Sequence, residues 1–164
     1  MSKPTTQGID PRAPRFGAGI TAVLLLVVIG LALDTTGPAA TILFAVLTAL
    51  FGYAAVAGIQ RHPYGLFFRR VIRPRLAPPT ELEDPTPPTF AQGVGFVITA
   101  VGLVLSLLGV PYALVVAASL AFIAAFLNSV FGFCLGCQIY LLLVRIRLLL
   151  VRAGVLGRKG AAAA

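Results

Sequence analysis

Residues 16–33 read FGAGITAVLLLVVIGLAL and contain no charged side chain. A helix needs about 20 consecutive, mostly apolar residues to cross a bilayer, and this stretch approaches that length. Three more stretches are comparable: residues 39–59, residues 90–108, and a longer one from residue 112 to residue 144. The sequence therefore predicts four spanning helices.

The composition of the whole chain agrees with a membrane protein. Of its 164 residues 59% are hydrophobic and only 11% are charged, whereas a soluble domain carries about 25% charged residues. Disordered chains are polar and highly charged, so disorder is excluded by the same numbers.

Turns that contain Gly and Pro join the apolar stretches in pairs. We predict an all-α integral membrane four-helix bundle built from two related hairpins, at residues 16–59 and 90–144. The other predicted segments are a cytoplasmic N-terminal tail, a basic and Pro-rich cytoplasmic loop, and a basic cytoplasmic tail, at residues 1–15, 60–89 and 145–164.

The positive charges predict the orientation of these helices. The 13 basic residues fall three, five and five into the N-terminal tail, the central loop and the C-terminal tail, and the hairpin turns hold none. Basic segments mark the cytoplasmic side. We therefore expect a multi-pass protein of the bacterial inner membrane with both termini in the cytoplasm. Its partner is the lipid bilayer and not nucleic acid, because the charges do not gather on one soluble face.

The two hairpins resemble each other in sequence. The pattern Asp-Pro-x-x-Pro-x-Phe-x-x-Gly at residues 10–19 recurs at residues 84–93, an offset of 74. Phe-Gly-Tyr at residues 51–53 matches Phe-Gly-Phe at residues 131–133, an offset of 80, which predicts six extra residues near the second turn. We interpret the pattern as an internal duplication. Both copies enter the membrane from the same side, so the predicted repeat is parallel, with its axis along the membrane normal.

Cys134 and Cys137 are the only cysteines and form a Cys-x-x-Cys pair, where the first copy has alanines and a valine at residues 54–57. In such a pair one thiolate attacks a disulfide and the second thiol resolves the product. If the helix breaks near Gly132 and restarts at Cys134, that sulfur lies at a helix N-terminus, where the thiolate is favoured. If the helix is continuous, both thiols lie in low dielectric.

The length of the fourth stretch favours a break. Residues 112–144 would extend about 50 Å as one straight helix, longer than a bilayer core of about 30 Å. The helix must tilt, break or protrude, and we favour a bend around the cysteines. This would leave the pair in the inner half of the bilayer and within reach of the cytoplasm, where a permanent disulfide is not expected.

No cofactor is predicted. A structural zinc site would need two more Cys or His ligands, and a haem held by two histidines is excluded because His62 is the only histidine. Transfer of a soft metal ion through two thiolates stays open. His62 lies in the central loop, and we interpret it as a surface or hydrogen-bonded residue rather than a catalytic base.

The central loop carries both signs of charge. Its first half, through Phe67 and Phe68, is expected to form a short amphipathic helix at the headgroups, and its second half to be extended. Its charges are interpreted as a topology anchor, with an anion or partner dock as the alternative. Candidate ion pairs join a loop arginine to a following acid: Arg73 or Arg75 with Glu81, Glu83 or Asp84.

Three segments together carry a resemblance to a known family. They are IDPRAPR at residues 9–15, the loop from His-Pro-Tyr-Gly at residues 62–65 to residue 84, and FGFCLGCQIY at residues 131–140. The chain resembles, over nearly its whole length, the bacterial integral membrane protein family catalogued as domain of unknown function 4395, in its actinobacterial branch. Some members of other branches also have a Cys-Pro pair near the N-terminus, which this chain lacks.

The resemblance implies a place in thiol or sulfur metabolism. Family members tend to be encoded near thioredoxin-like proteins and sulfurtransferases, so it also implies a cytoplasmic partner of one of these classes. It supplies no established activity.

The leading hypothesis is a membrane thiol–disulfide or persulfide relay in which Cys134 attacks and Cys137 resolves. Arg12 and Arg15 are auxiliary candidates, which would stabilise an anionic sulfur species if they fold back under the bundle. One alternative is a transporter of a small sulfur species or soft metal ion, and another is a non-catalytic scaffold or accessory subunit. Whether the protein is an enzyme, and its oligomeric state, are left open.

Overall fold

The computed structural model describes residues 8–34 and 38–153. Six α-helices occupy these residues: α1 Arg12–Asp34, α2 Ala39–Ala57, α3 Pro63–Phe67, α4 Thr86–Leu107, α5 Ala113–Phe131 and α6 Leu135–Arg152. The described residues contain no β-strand beyond one isolated bridge, so the all-α prediction is confirmed. Helices α1, α2, α4 and α5 are long and apolar enough to cross a membrane, as a multi-pass membrane protein requires.

The four long helices pack mainly across the two hairpins. Helix α1 lies chiefly against α5, and α2 lies chiefly against α4. The buried core comes from three of them: Leu25 and Val28 of α1, Phe44 and Leu47 of α2, and Leu114, Ala117, Ala118 and Ala121 of α5. Helix α4 approaches α5 closely where Gly102 meets Ala117, and small residues permit such contact between spanning helices.

Hydrogen bonds join the ends of these helices at one end of the bundle. Ile9, just before α1, and Glu83, just before α4, exchange two backbone hydrogen bonds of 2.9 Å. Just after α2, the Ile59 N–H donates to the Thr89 hydroxyl of α4 at 3.2 Å. Gly132, just after α5, lies against the first turn of α1. The starts of α1 and α4 and the ends of α2 and α5 therefore meet at one end, here called the basic end, which also carries the central loop and the start of α6.

The two helix pairs are spaced evenly along the chain. Helix α4 begins 74 residues after α1, and α5 begins and ends 74 residues after α2. Equivalent aspartates also bind the first residue of equivalent helices: Asp10 accepts the N–H of Arg12 at 3.0 Å, and Asp84 accepts the N–H of Thr86 at 2.8 Å. The duplication itself, and its axis along the membrane normal, stay predictions.

The helix positions do not support the predicted six-residue insertion near the second turn, because α5 begins and ends 74 residues after α2, the same offset as between the starts of α1 and α4. Residues 51–53 lie within α2, whereas residues 131–133 cross the end of α5. At the offset of 74, the counterpart of the cysteine segment is residues 60–63 in the loop, and not residues 54–57. The short Phe-Gly pattern was therefore a misleading guide to the alignment.

Candidate functional site: the turn that carries Cys134 and Cys137

The break predicted around the cysteines is present. Helix α5 ends at Phe131, and Gly132 adopts the left-handed conformation with φ 66° and ψ 15°. This conformation is unfavourable for residues with a Cβ and makes Gly the usual residue just past a helix end. The Gly132 N–H donates to the Asn128 carbonyl at 3.1 Å, which satisfies a backbone acceptor of the last turn. The chain then changes direction within three residues before α6 begins.

Cys134 is the N-cap residue of α6. Its backbone is extended, and its Sγ accepts the N–H of Cys137 at 3.3 Å. A side chain that accepts a first-turn N–H satisfies one of the backbone donors without a partner inside the helix. The sulfur therefore lies at the positive end of an 18-residue helix.

The two cysteines form a disulfide, with Cα atoms 5.2 Å apart. The geometry of the turn thus permits a disulfide between the two sulfurs. Both residues are only half-buried, so the sulfurs lie at the margin of the bundle and not in its core.

Arg15, one of the two auxiliary candidates, lies beside the break. A Cβ built on Gly132 would lie 2.5 Å from Nη2 of Arg15 and 2.6 Å from its Cζ. The guanidinium therefore covers the Gly132 backbone, two residues before Cys134. No acidic group within residues 8–34 and 38–153 forms an ion pair with it.

Arg12, the second auxiliary candidate, is engaged elsewhere. Its Nε and Nη2 donate to the Asp10 carboxylate at 2.9 and 2.8 Å, and Nη2 also donates to the Ala77 carbonyl at 3.0 Å. These hydrogen bonds hold the pKa of Asp10 below its ordinary value of 3.8, against the opposing effect of burial. Arg12 thus joins the start of α1 to the central loop.

Helix α6 is fixed to α4 by one close crossing. A Cβ on Gly136 would lie 2.5 Å from that of Ala91, and the Tyr140 ring lies 5.5 Å from the Phe90 ring. Both contacts involve the first turns of α4, so the cysteine turn is attached to the basic end. From residue 141 to residue 150 every side chain of α6 is exposed.

His62 is hydrogen-bonded, as expected, but it is buried rather than at the surface, with 6% of its area exposed. It is the N-cap of α3, and its Nδ1 accepts the Tyr64 N–H at 3.3 Å. Burial lowers the pKa of His62 from 6.5 and raises that of Tyr64 from 10.0. The His-Pro dipeptide was the available signal, because Pro63 is suited to the first position of a helix.

The predicted ion pairs between the loop arginines and the loop acids do not form. Within the described residues one ion pair is present, between Arg12 and Asp10. The second half of the loop is held instead to the residues around the start of α1, through the backbone hydrogen bonds between Ile9 and Glu83 and the bond from the Arg12 side chain to the Ala77 carbonyl. The first half of the loop is helical as predicted, with α3 followed by a wide helical turn at Phe68–Ile72.

The geometry permits two-thiol chemistry. In the part of the chain that the structure describes, no three side chains of His, Cys, Asp or Glu come together as metal ligands. What the turn offers is two sulfurs in bonding contact, helix N–H groups and one guanidinium.

Comparison with known proteins gives one match. No curated protein and no solved structure matches the chain. One family model, described as Domain of unknown function (DUF4395), matches residues 9–145 and so includes both helix pairs and the cysteine turn. The placement in an actinobacterial branch stays a prediction. The match covers most of the chain's length, and the chain therefore belongs to this DUF4395 family.

Proposed function

We propose that this protein is a membrane-embedded thiol–disulfide or persulfide relay that acts through Cys134 and Cys137 at the cytoplasmic face of the bacterial inner membrane. The observation that carries the proposal is the position of the Cys134 sulfur, which caps α6 and accepts the Cys137 N–H at 3.3 Å. Helix N-terminal N–H groups and a nearby arginine both favour a thiolate. Arg15, whose guanidinium lies against Gly132 two residues before Cys134, is the candidate for that arginine. In this proposal Cys134 is the attacking sulfur and Cys137 the resolving one.

In the disulfide reaction, the Cys134 thiolate attacks one sulfur of a substrate disulfide. A mixed disulfide forms, and the other substrate sulfur leaves as a thiolate that takes up a proton. The Cys137 thiolate then attacks the Cys134 sulfur and expels the second substrate thiolate, which is also protonated. The pair loses two electrons and becomes a disulfide, while the substrate gains two electrons and two protons. A cytoplasmic dithiol protein of the thioredoxin-like class restores the two thiols.

In the persulfide reaction, the Cys134 thiolate attacks the outer sulfur of a substrate persulfide, and the substrate leaves as a thiol. Cys134 then carries the transferred sulfur as a persulfide. Attack by Cys137 on the inner sulfur releases hydrogen sulfide and gives the disulfide, whereas attack by an acceptor thiolate on the outer sulfur passes it on. A sulfurtransferase is the corresponding class of partner.

Mixed-disulfide trapping in intact cells tests the proposal. Because removal of the resolving thiol stalls the reaction, Cys137→Ser should accumulate a covalent adduct that a reductant dissolves. Cys134→Ser should not accumulate one, and the variant with both substitutions is the matched control. His62→Ala combined with Cys137→Ser should still accumulate the adduct, because the His62 side chain is buried against Tyr64.

Three outcomes would change the proposal. Trapping by Cys134→Ser instead would reverse the roles of the two sulfurs. A thiol function would be refuted by complementation of a strain that lacks the gene, if His62→Ala failed to restore the wild-type phenotype while both Cys→Ser variants restored it. The third outcome has two parts: neither variant accumulates an adduct, and neither reduced Cys134 nor reduced Cys137 reacts with a membrane-permeant alkylating agent. The pair would then serve only in packing, which favours the scaffold alternative.

The transport alternative is less well supported by the spans. Residues 16–33, 39–57, 90–107 and 113–131 contain no Asp, Glu, Lys, Arg or His, and transport paths in membranes usually need such groups. Uptake of labelled sulfide or of a soft metal ion into vesicles that contain the purified protein would favour transport over the relay.

A further inference from the structure

An open recess lies in the central loop, away from the cysteine turn. Two arginines, Arg69 and Arg73, line it together with Pro74, Leu76, Pro78 and Pro79. Its volume is about 350 Å³. Three of the six lining residues are prolines, whose fixed φ restricts the backbone around the recess.

The charge of this segment is strongly positive and locally uncompensated. Four arginines fall within seven residues, at positions 69, 70, 73 and 75, and none of them forms an ion pair in the part of the chain that the structure describes. The charge of Arg73 helps to lower the pKa of the Asp10 carboxylate. That carboxylate already accepts three hydrogen bonds from Arg12.

Apolar side chains are exposed beside the arginines. Phe67, Val71 and Leu76 are 52%, 38% and 41% exposed. The segment is held on the basic end of the bundle, because the Phe16 ring of α1 lies 6.2 Å from the Phe67 ring and 5.6 Å from the Phe68 ring. Cations beside exposed apolar groups, next to the ends of spanning helices, match the chemistry of the headgroup region.

We propose that this recess binds the headgroup of an anionic phospholipid, with Arg69 and Arg73 paired to its phosphate. Arginine guanidinium groups recognise phosphate through paired N–H donors. A lipid fits better than free phosphate, because Leu76 lines the recess and the exposed Phe67 and Val71 side chains belong to the same segment, which offers apolar contacts to the acyl and glycerol groups of the same molecule. This inference does not depend on the thiol function, since the recess contains neither cysteine.

Selective quenching by brominated lipids tests it. The chain has no tryptophan, so Phe67→Trp introduces a single fluorophore beside the recess. The purified full-length variant is placed in vesicles of unbrominated phosphatidylcholine that contain increasing fractions of dibrominated phosphatidylglycerol or of dibrominated phosphatidylcholine. Quenching of the tryptophan fluorescence is measured as a function of the brominated fraction. The relative binding constant at the site should favour phosphatidylglycerol. The Arg69→Gln variant and the Arg73→Gln variant should each reduce that preference by about fivefold.

Two matched variants and one competitor make the result decisive. Arg147→Gln with Arg152→Gln removes two charges from α6 and should leave the preference unchanged. Arg69→Lys with Arg73→Lys should lose less of the preference than the Gln pair, because the charge is kept while the paired N–H donors are lost. Inorganic phosphate should not compete. The proposal is overturned if the Arg69→Gln and Arg73→Gln pair keeps the preference, if the α6 pair loses it equally, if the Lys pair loses as much as the Gln pair, or if inorganic phosphate abolishes it. Equal thermal unfolding of the variants in phosphatidylcholine verifies that they are folded.

Discussion

At the scale of single residues, Gly132 and Cys134 do most to define the site. A residue with a Cβ at position 132 would have to adopt φ 66° and displace the Arg15 guanidinium. Glycine avoids both costs, which allows the chain to leave α5 and place the Cys134 sulfur at the start of α6. The helix break and the position of Arg15 thus have one cause.

We predict that Arg15 accelerates the reaction of Cys134. In reduced protein that carries Cys137→Ser, Arg15→Gln should slow alkylation of Cys134 by a maleimide about two- to fivefold near neutral pH, the effect of one exposed ion pair. Arg15→Lys should react at nearly the wild-type rate. Arg147→Gln, which removes one charge from the far part of α6, is the control, and an equal slowing there would mean that Arg15 has no specific role.

At the scale of elements, the short helix α3 attaches the central loop to the bundle. His62 caps it, and the His62 ring lies 4.6 Å from the ring of Tyr64. Since burial favours the neutral imidazole, α3 is most stable when His62 carries no proton.

Acidification should therefore weaken this element. The pKa of His62 is lowered in the folded protein, so its contribution to stability is complete above the ordinary value of 6.5 and is lost as the pH falls from there through the folded-state pKa. Thermal unfolding in detergent should occur at a lower temperature at pH 5.5 than at pH 7.5. His62→Asn keeps an acceptor for the Tyr64 N–H but does not titrate, and it should reduce this difference. An unchanged difference would assign the pH effect to other groups.

At the scale of the whole molecule, the basic loop and the cysteine turn share one end of the bundle. That end contains the starts of α1 and α4 and the ends of α2 and α5, joined by the Ile9–Glu83 and Ile59–Thr89 hydrogen bonds. If this end faces the cytoplasm, as the positive charges predict, both sulfurs are accessible to cytoplasmic partners.

Cysteine labelling checks this orientation. A cysteine introduced at Thr36 in the first turn or at Lys159 in the C-terminal tail should also report the orientation, but both positions lie outside the described residues. Val110 and Arg75 lie within the described residues and take their place. In a variant without the native cysteines, Val110→Cys should react with an impermeant maleimide in cells whose inner membrane is exposed and intact. Arg75→Cys should react only after the membrane is broken. The opposite labelling pattern would mean that the protein has the inverse orientation, with the cysteine pair on the side away from the cytoplasm.

Local sequence was sufficient to predict the helices and the break. Apolar length determined the four spans, because the bilayer core sets how many residues a helix needs to cross it. The excess length of residues 112–144 predicted a break near Gly132, and α5 and α6 confirm it. Sequence alone also identified the cysteine pair, as the chain has only two.

Contacts between distant residues were decided only by the tertiary structure. The sequence proposed Arg12 and Arg15 equally, and packing of α1 against α5 brings Arg15 to Gly132 while Asp10 and Ala77 hold Arg12. The burial of His62 and the recess lined by Arg69 and Arg73 likewise depend on how the central loop folds. Bilayer thickness and helix chemistry act on neighbours in the chain and can be read from it, whereas the approach of two side chains from separate helices is fixed by packing of the whole bundle.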